Sequence, residues 1–246
     1  MRYSEDYQVP FFMGTTTGDI SVADTVNIMM LVSEHQLDEL NIGVAGLAEY
    51  GAGWVITQNQ MEINRLPRVD ERLHVWTEAT SYNRLLCYRT YGIDDLDGNN
   101  IALIHSTWVM FDLQKRKIMP IIDAIAAPTG AVKSAKVERL PRVTKMGAAD
   151  GARDYRVRYF DIDFNGHVNN VHYFDWLCDS LGNDWLQKNR PVSVNIKYEQ
   201  EVGPDDTTTA AFQHVQDAVT TTTLHRITTG DVVNAIAEIS WTPLQK

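Results

Sequence analysis

The sequence predicts an α+β fold made of two similar units. In the first half of the 246-residue chain, a long amphipathic helix is followed by a run of strands. The same order of elements recurs in the second half, and a stretch containing proline and glycine separates the two halves. Because each unit alone would expose edge strands, we expect the units to pair their sheets side by side, with both helices on one face of a single large sheet.

The first half contains the clearest helix signal, over residues 21–40. Ser21 and Asp24 form a capping box at its start. Apolar residues then recur at helical spacing: Val22, Val26, Met29, Met30, Leu37 and Leu40. Strands are predicted after this helix from β-branched and aromatic residues, and Asp97-Gly98 marks the turn between the last two. The predicted strands are 54–63, 72–82, 84–93 and 101–113.

The middle of the chain, residues 119–150, shows little periodicity and carries Pro120, Pro128 and Pro141. We interpret it as a basic linker between an N-terminal unit, 1–118, and a C-terminal unit, 151–246. In the second unit, a strand is predicted at 155–160 and a helix begins near Asn169. The apolar face of this helix consists of Tyr173, Phe174, Leu177, Leu181 and Trp185. Further strands are predicted at 192–198, 207–216, 219–227 and 232–241.

Composition excludes several classes of protein. A net charge of −10, from 22 basic and 32 acidic residues, argues against a general nucleic-acid binder. Residues 115–158 depart from this average with eleven basic and four acidic residues, a pattern typical either of a solvated linker face or of a docking patch for an acidic partner. Cys87 and Cys178 show no metal-binding spacing, and no motif in the sequence implies a metal or an organic cofactor. No apolar run is long enough to span a membrane, and a reducing cytoplasm fits best.

The segment with the most polar groups lies between the predicted strand at 155–160 and the helix that follows. Asp163, Asn165 and His167 place a carboxylate, an amide and an imidazole within five residues, just before a helix N-terminus. The unpaired N–H groups there can stabilise the oxyanion of a carbonyl under attack, which indicates acyl transfer or hydrolysis. No GxSxG motif is present, so water or a carboxylate is the expected nucleophile. Asn169 and Asn170 are equally typical of ordinary helix caps.

A second acidic cluster follows the strand at 192–198. Glu199 and Glu201 lie on the same face of an extended segment. Solvated side chains and functional carboxylates both fit this pattern.

The run DFNGHVNNVHY at 163–173 closely resembles the D-x-N-x-H-V-N-N-x-x-Y signature of the plant and bacterial acyl-acyl carrier protein thioesterases. The segments WVIT, MEINRLPR and LHVW at 54–57, 61–68 and 73–76 resemble the first strand pair of that family. The similarity covers nearly the whole chain. It implies two tandem hotdog units, each a long helix wrapped by an antiparallel sheet, with an acyl-binding first unit and a catalytic second unit.

The resemblance also implies the catalytic residues. They are Asp163, Asn165, His167 and, in YEQEVG at 198–203, Glu201. Val202 replaces a cysteine of the family motif, so a thiol at that position is not required. Because the first unit lacks a matching Asp-x-Asn-x-His, one active site is expected. Asp163 either attacks the thioester directly or fixes the groups that activate water.

The implied activity is hydrolysis of fatty acyl-acyl carrier protein to free fatty acid. An acidic carrier protein is then the expected partner, docking on Arg153, Arg156 and Arg158. Two alternatives remain open, which are an acyl-coenzyme A thioesterase and a non-catalytic protein that binds acyl thioesters. We expect a protein of the bacterial cytoplasm, either a monomer or a homodimer.

Overall fold

The structure is a computed structural model that describes residues 1–163, 166–216 and 221–244. The fold is α+β, as predicted, and consists mainly of antiparallel strands. The elements of the first half are β1 (Tyr3–Gln8), α1 (Val22–Glu39), α2 (Val44–Glu49), β2 (Ala52–Ile63), β3 (Arg72–Tyr82), β4 (Cys87–Asp94), β5 (Asn100–Asp112), β6 (Lys117–Met119), α3 (Asp123–Ala126) and β7 (Val132–Lys133). Those of the second half are β8 (Gly151–Arg156), α4 (Val171–Ser180), α5 (Asn183–Leu186), β9 (Asn189–Tyr198), β10 (Thr207–Gln216), β11 (Thr221–Thr229) and β12 (Val232–Pro243).

All the strands belong to one sheet, whose two halves mirror each other. The order along the sheet is β1-β3-β4-β5-β2-β9-β12-β11-β10-β8, with β6 beside β5 and β7 beside β3. Each of the strands β1–β5 therefore has a counterpart at the same position among β8–β12, whereas β6 and β7 have none among the described strands. The prediction that two similar units pair their sheets side by side is confirmed.

The pairing of β2 with β9 joins the two units. It is antiparallel and runs from Gln58 opposite Lys197 to Glu62 opposite Ser193. Met61 is paired with Val194 within it, and both side chains are fully buried. Hydrophobic burial at this seam thus supports a continuous sheet.

The chain between the units crosses the sheet at the same seam. The Gln58 and Asn195 amide groups donate hydrogen bonds to the carbonyl oxygen of Pro141, at 2.7 and 3.0 Å. Alternation along β2 places Gln58 on the face opposite Met61, so Pro141 crosses the face of the sheet away from the core. The two amides thereby tie this part of the chain to both units.

Both long helices pack on the other face, against each other and against the sheet. Helix α1 begins as predicted, since the Ser21 hydroxyl accepts a hydrogen bond of 2.9 Å from the Asp24 backbone N–H. Met29 from α1 and Phe174 and Leu177 from α4 belong to a single buried cluster. The core is therefore shared between the units. Among the described residues, no helix is long and apolar enough to span a membrane.

Several predicted elements have different boundaries in the structure. The predicted strand 155–160 is wrong at both ends, because β8 begins at Gly151 and stops at Arg156, and residues 159–161 form a 3-10 turn. The helix predicted to continue to Trp185 is interrupted at Gly182, whose φ of +85° ends the helical path, and Trp185 lies in the separate helix α5. Strand β4 begins three residues later than predicted because the Asn83 side chain accepts hydrogen bonds from the N–H groups of the turn before it. The first two residues of the strand predicted at 219–227 lie outside the described residues.

The segment predicted as a linker, 119–150, contains regular structure. Helix α3 buries Ile125 and Ala126, and β7 pairs in parallel with the end of β3. The first part of this segment therefore packs on the N-terminal unit.

Truncation of Met61 tests whether the units fold as one body. We expect M61A to lower the free energy of unfolding by about 2–5 kcal/mol, because it leaves a cavity at the buried seam. Denaturant unfolding followed by fluorescence and circular dichroism should show one transition in the wild type and in the variant. L85A is the control, since Leu85 is exposed. Two resolved transitions in the wild type would show that the units unfold independently.

Candidate active site

The loop between β8 and α4 holds the aspartate and histidine of the sequence motif. Ile162 and Val168 form an isolated antiparallel bridge, and inside it the Asp163 N–H donates to the His167 carbonyl at 2.9 Å. Gly166, with φ of +82°, closes this turn by donating its N–H to the Asp163 carbonyl at 3.0 Å. The loop thus brings Asp163 and His167 together. Asn165, the third predicted residue of the loop, lies outside the described residues.

A buried carboxylate anchors the start of this loop. Asp161 is 2% exposed and accepts hydrogen bonds from the Arg158 backbone and guanidinium, the shortest at 2.6 Å. Burial favours the neutral acid, but the Arg158 hydrogen bonds and charge outweigh it and hold the pKa of Asp161 below its usual value. The Asp161 carbonyl also accepts a bond from the Asn169 N–H at 2.9 Å. Asp161 therefore connects the loop to the beginning of α4.

The segment after β9 brings Glu201 to the same place. The Val168 N–H donates to the Val202 carbonyl at 3.0 Å, and the Val202 N–H donates to the Tyr173 hydroxyl at 3.2 Å. The buried Asn234 amide donates to the carbonyl of Glu201 at 3.3 Å. These contacts fix the backbone, with Val202 in the core.

The predicted histidine and glutamate meet at the surface of the C-terminal unit. His167 Nε2 lies 3.1 Å from Glu201 Oε1, and the two side chains are 25% and 48% exposed. The imidazole is therefore more buried than the carboxylate, which stays accessible to solvent. Glu199 instead pairs with Lys197 at 2.6 Å, which matches the solvated alternative for that residue.

Arg116 is a member of the site that the sequence analysis missed as an individual residue. Its guanidinium forms an ion pair with Glu201, and Nη2 lies 3.4 Å from His167 Nε2. Arg116 comes from the turn between β5 and β6, in the N-terminal unit. In the sequence it was only one of eleven basic residues in the window 115–158. Nothing in the local pattern separated it from its neighbours.

Burial and two charged groups set the pKa of His167. Burial lowers the pKa of its imidazole below the ordinary value of 6.5, and the positive charge of Arg116 lowers it further. The Asp163 carboxylate opposes this shift. The balance favours a neutral imidazole near pH 7, which can accept a proton.

The backbone at the start of α4 differs in part from the sequence-based expectation. The N–H groups of Val168 and Asn169 already donate to backbone carbonyls, so they are not available to an oxyanion. In the described part of the chain, the Asn170 N–H donates to no other group, and it lies at the positive end of the helix dipole. The Asn169 side chain also accepts a weak hydrogen bond from the Val171 N–H at 3.3 Å, which fits the alternative that Asn169 caps the helix.

Neither cysteine fits a role as nucleophile. Burial raises the pKa of Cys178 to about 12 and that of Cys87 to about 11. Both thiols therefore stay protonated at neutral pH. This agrees with the presence of Val202, rather than a cysteine, beside Glu201.

The basic residues proposed for docking are only partly accessible to a partner. Arg153 pairs with Asp179 and Arg158 with Asp161, both at 2.6 Å. Within residues 1–163, 166–216 and 221–244, Arg156 forms no ion pair with a side chain. Arg156 is the most available cation of the three.

The fold and the site together define a tandem hotdog protein with a carboxylate–imidazole centre at the start of its second central helix. Family models agree with this description. The acyl-ACP thioesterase N-terminal domain matches residues 1–129, and the acyl-ACP thioesterase C-terminal domain matches residues 145–243. The chain belongs to the acyl-ACP thioesterase family, as the sequence motif indicated.

Individual relatives support the same assignment. A crystal structure of a protein described as an oleoyl thioesterase from Lactobacillus plantarum is 35% identical, with a TM-score of 0.97 over 100% of this chain and 98% of that chain. The 12:0-ACP thioesterase from Umbellularia californica shares the fold at 16% identity, with a TM-score of 0.87 over 99% of this chain and 98% of that one. The prediction of two tandem hotdog units is confirmed.

Curated relatives include a chloroplastic acyl-acyl-carrier-protein hydrolase of Cuphea viscosissima. It is 26% identical over 205 residues, which are 75% of this chain and 50% of the relative. The chain spans about half the length of this relative and of a second curated relative, a chloroplastic thioesterase of Cuphea hookeriana.

A titration of His167 tests the electrostatics of the site. We expect a pKa below 6.5, because burial and Arg116 both disfavour the imidazolium. The folded state then binds this proton more weakly than the unfolded chain, so His167 lowers stability as the pH falls below about 6.5. Histidine ring signals followed by NMR from pH 4 to 8 measure the pKa, and H167Q identifies the signal. A pKa at or above 6.5 would contradict the described environment.

Proposed function

We propose that the protein hydrolyses the thioester of a fatty acyl-acyl carrier protein and releases a free fatty acid. The observation that carries this proposal is the contact of His167 with Glu201 at 3.1 Å, beside Asp163 and the start of α4. A proton acceptor with an adjacent carboxylate can activate water, and a helix N-terminus can stabilise the oxyanion, so this set of groups suits thioester hydrolysis. Membership of the acyl-ACP thioesterase family supports the choice of substrate.

The thioester carbonyl would lie at the N-terminus of α4. The Asn170 N–H and the helix dipole would then stabilise the negative charge that develops on the carbonyl oxygen. The neighbouring Val168 and Asn169 amides are held by backbone carbonyls, which keeps the loop rigid while the oxyanion forms.

Proton transfer would depend on His167 and Glu201. A neutral imidazole takes a proton from the attacking water, and the adjacent Glu201 carboxylate stabilises the imidazolium that results. The proton then passes to the thiolate that leaves when the carbon–sulfur bond breaks. We assign Asn165 to the orientation of this water, on the basis of the family motif.

Asp163 has two possible roles in the proposed reaction. In one, its carboxylate attacks the carbonyl, the thiol leaves, and water activated by His167 hydrolyses the resulting anhydride. In the other, Asp163 fixes the geometry of the groups that activate water for direct attack. Incorporation of ¹⁸O from labelled solvent into Asp163 during turnover would identify the anhydride route, with water attacking the Asp163 carboxyl carbon.

The N-terminal unit would bind the acyl chain. A small cavity of about 40 Å³ lies between α1 and the sheet, and its apolar lining includes Leu37, Trp54, Ala79 and Cys87. This volume is far below that of a fatty acyl chain, so the chain would enter by displacing side chains. The buried Arg89, bonded to Gln36 and Thr77 at 2.7 and 2.9 Å, adds a polar group to the cavity wall.

Docking of the carrier protein would use the basic residues near the site. Acyl carrier proteins are acidic, so an exposed cation beside the loop would favour their approach. Arg156 is the best candidate of the three predicted arginines, because Arg153 and Arg158 already bind carboxylates. The location in a bacterial cytoplasm and the oligomeric state stay predictions.

Thiol release from matched acyl-carrier-protein and acyl-coenzyme A panels tests the proposed activity. We expect hydrolysis of the carrier-bound series, and a fall in kcat of about 10²–10⁴-fold in H167A and E201Q, because proton transfer is lost. H35A is the matched control, since His35 also pairs with a glutamate, at 2.9 Å, but lies on α1. Preference for coenzyme A would support the alternative substrate. Tight binding without turnover would support the non-catalytic alternative.

Charge reversal at Arg156 tests the docking proposal. We expect R156E to raise KM for the carrier-bound substrate with little change in kcat, because the substitution repels an acidic partner. KM for acyl-coenzyme A should change less, and added salt should raise the wild-type KM toward that of the variant. R190E is the control, since it makes the same charge change at the start of β9, whereas Glu201 follows the end of that strand. An equal rise in KM in R190E would show that the effect comes from the net charge of the protein and not from docking at Arg156.

A further inference from the structure

The turn that carries Arg116 has an unusual backbone. Its four residues, 113–116, join β5 to β6, and the Asp112 side chain accepts hydrogen bonds from the N–H groups of Gln114 and Lys115 at 3.1 and 2.8 Å. Arg116 closes the turn with φ of +52°, in the left-handed region where the Cβ atom crowds the backbone and glycine is favoured. The hairpin thus holds an arginine where glycine would fit more easily.

Strand register brings this turn to the active site. In the sheet, β5 and β9 flank β2 and both are antiparallel to it. The end of β5, where Asp112 pairs with Ala52, and the end of β9 therefore reach the same edge of the sheet. Arg116 follows the first strand and Glu201 follows the second. Their contact is a direct result of how the units join.

We propose that Arg116 is a positioning residue of the catalytic site, supplied by the N-terminal unit, which holds the Glu201 carboxylate against His167. The inference rests on the proposed thioester hydrolysis. Glu201 is 48% exposed, so its side chain would otherwise sample solvent-facing rotamers. The guanidinium is itself restrained, because it lies 5.7 Å from the centre of the Phe111 ring.

The charge of Arg116 has a second effect, which can be measured separately. The charged groups that face His167 are Arg116, Glu201 and Asp163. The arginine disfavours the imidazolium, whereas the two carboxylates favour it. Loss of Arg116 should therefore raise the pKa of His167 and move the acid limb of the pH–rate profile to higher pH.

Substitutions at Arg116 test this assignment. We expect R116A and R116G to lower kcat at least about 10-fold, with the acid limb of kcat/KM shifted upward by up to about one pH unit. R116K keeps the charge but not the planar guanidinium. Its acid limb should therefore lie at the wild-type pH, while its kcat should lie between those of R116A and the wild type. R116G suits the left-handed turn, so its Tm should equal or exceed that of the wild type, and a fall in kcat will not be due to unfolding.

K115A is the matched control, because it removes one positive charge from the same turn. Lys115 is 68% exposed and pairs with Asp112, so its loss should leave both kcat and the limb unchanged. An unshifted limb and a kcat within about 2-fold of wild type in R116A would overturn the proposal, as would the same shift in K115A.

The His167 pKa measured by NMR in R116A keeps this inference distinct from the proposed function. An inactive wild type would contradict thioester hydrolysis. In that case a raised His167 pKa in R116A would still show that the turn acts on the carboxylate–imidazole pair. An unchanged pKa would contradict the role assigned to Arg116 as well.

Discussion

The antiparallel pairing of β2 with β9 is the constraint on which the rest of the structure depends. It makes two units into one sheet, and it includes the buried pair of Met61 and Val194. Because the pairing sets the register between the units, it also decides which strand ends meet at the edge of the sheet. Glu201 and Arg116 meet for this reason, although 85 residues separate them in the chain. The site is thus a product of the sheet as much as of the loop that carries His167.

Two carboxylates of the site have contrasting environments, and their physical roles differ accordingly. Asp161 is almost fully buried and is held by the guanidinium and backbone of Arg158, so its charge is compensated and its position is fixed. Glu201 is half exposed, and an ion pair in such a position contributes only about 0–1 kcal/mol to stability. The first carboxylate is suited to hold the loop. The second stays accessible and responsive to its neighbours, as a group that takes part in proton transfer should.

Local patterns in the sequence predicted much of this molecule, and they failed where long-range packing decides. The start of α1 follows from Ser21 and Asp24, since capping depends on residues three apart. The contact of His167 with Glu201 was predicted from a family motif, while the location of Asn165 is not described. By contrast, the contact of Arg116 with Glu201 depends on strand register, which cannot be inferred from residue type within a short window. The break at Gly182 had a local signal, since glycine commonly ends a helix, but the apolar spacing continued past it to Trp185 and favoured a longer helix.

The covalent connection between the two units has a further consequence. In a symmetric homodimer, every substitution appears twice, so a change that improves one copy for binding also alters the copy that performs chemistry. Here the two halves of the sheet are encoded separately and can diverge. The first half has no Asp-x-Asn-x-His and is free to vary in the shape of its interior, while the second keeps the polar loop. The turn at 113–116 limits this freedom, because a substitution there also affects Glu201 on the other side of the seam. Efforts to redesign the interior of the first half should therefore leave that hairpin intact.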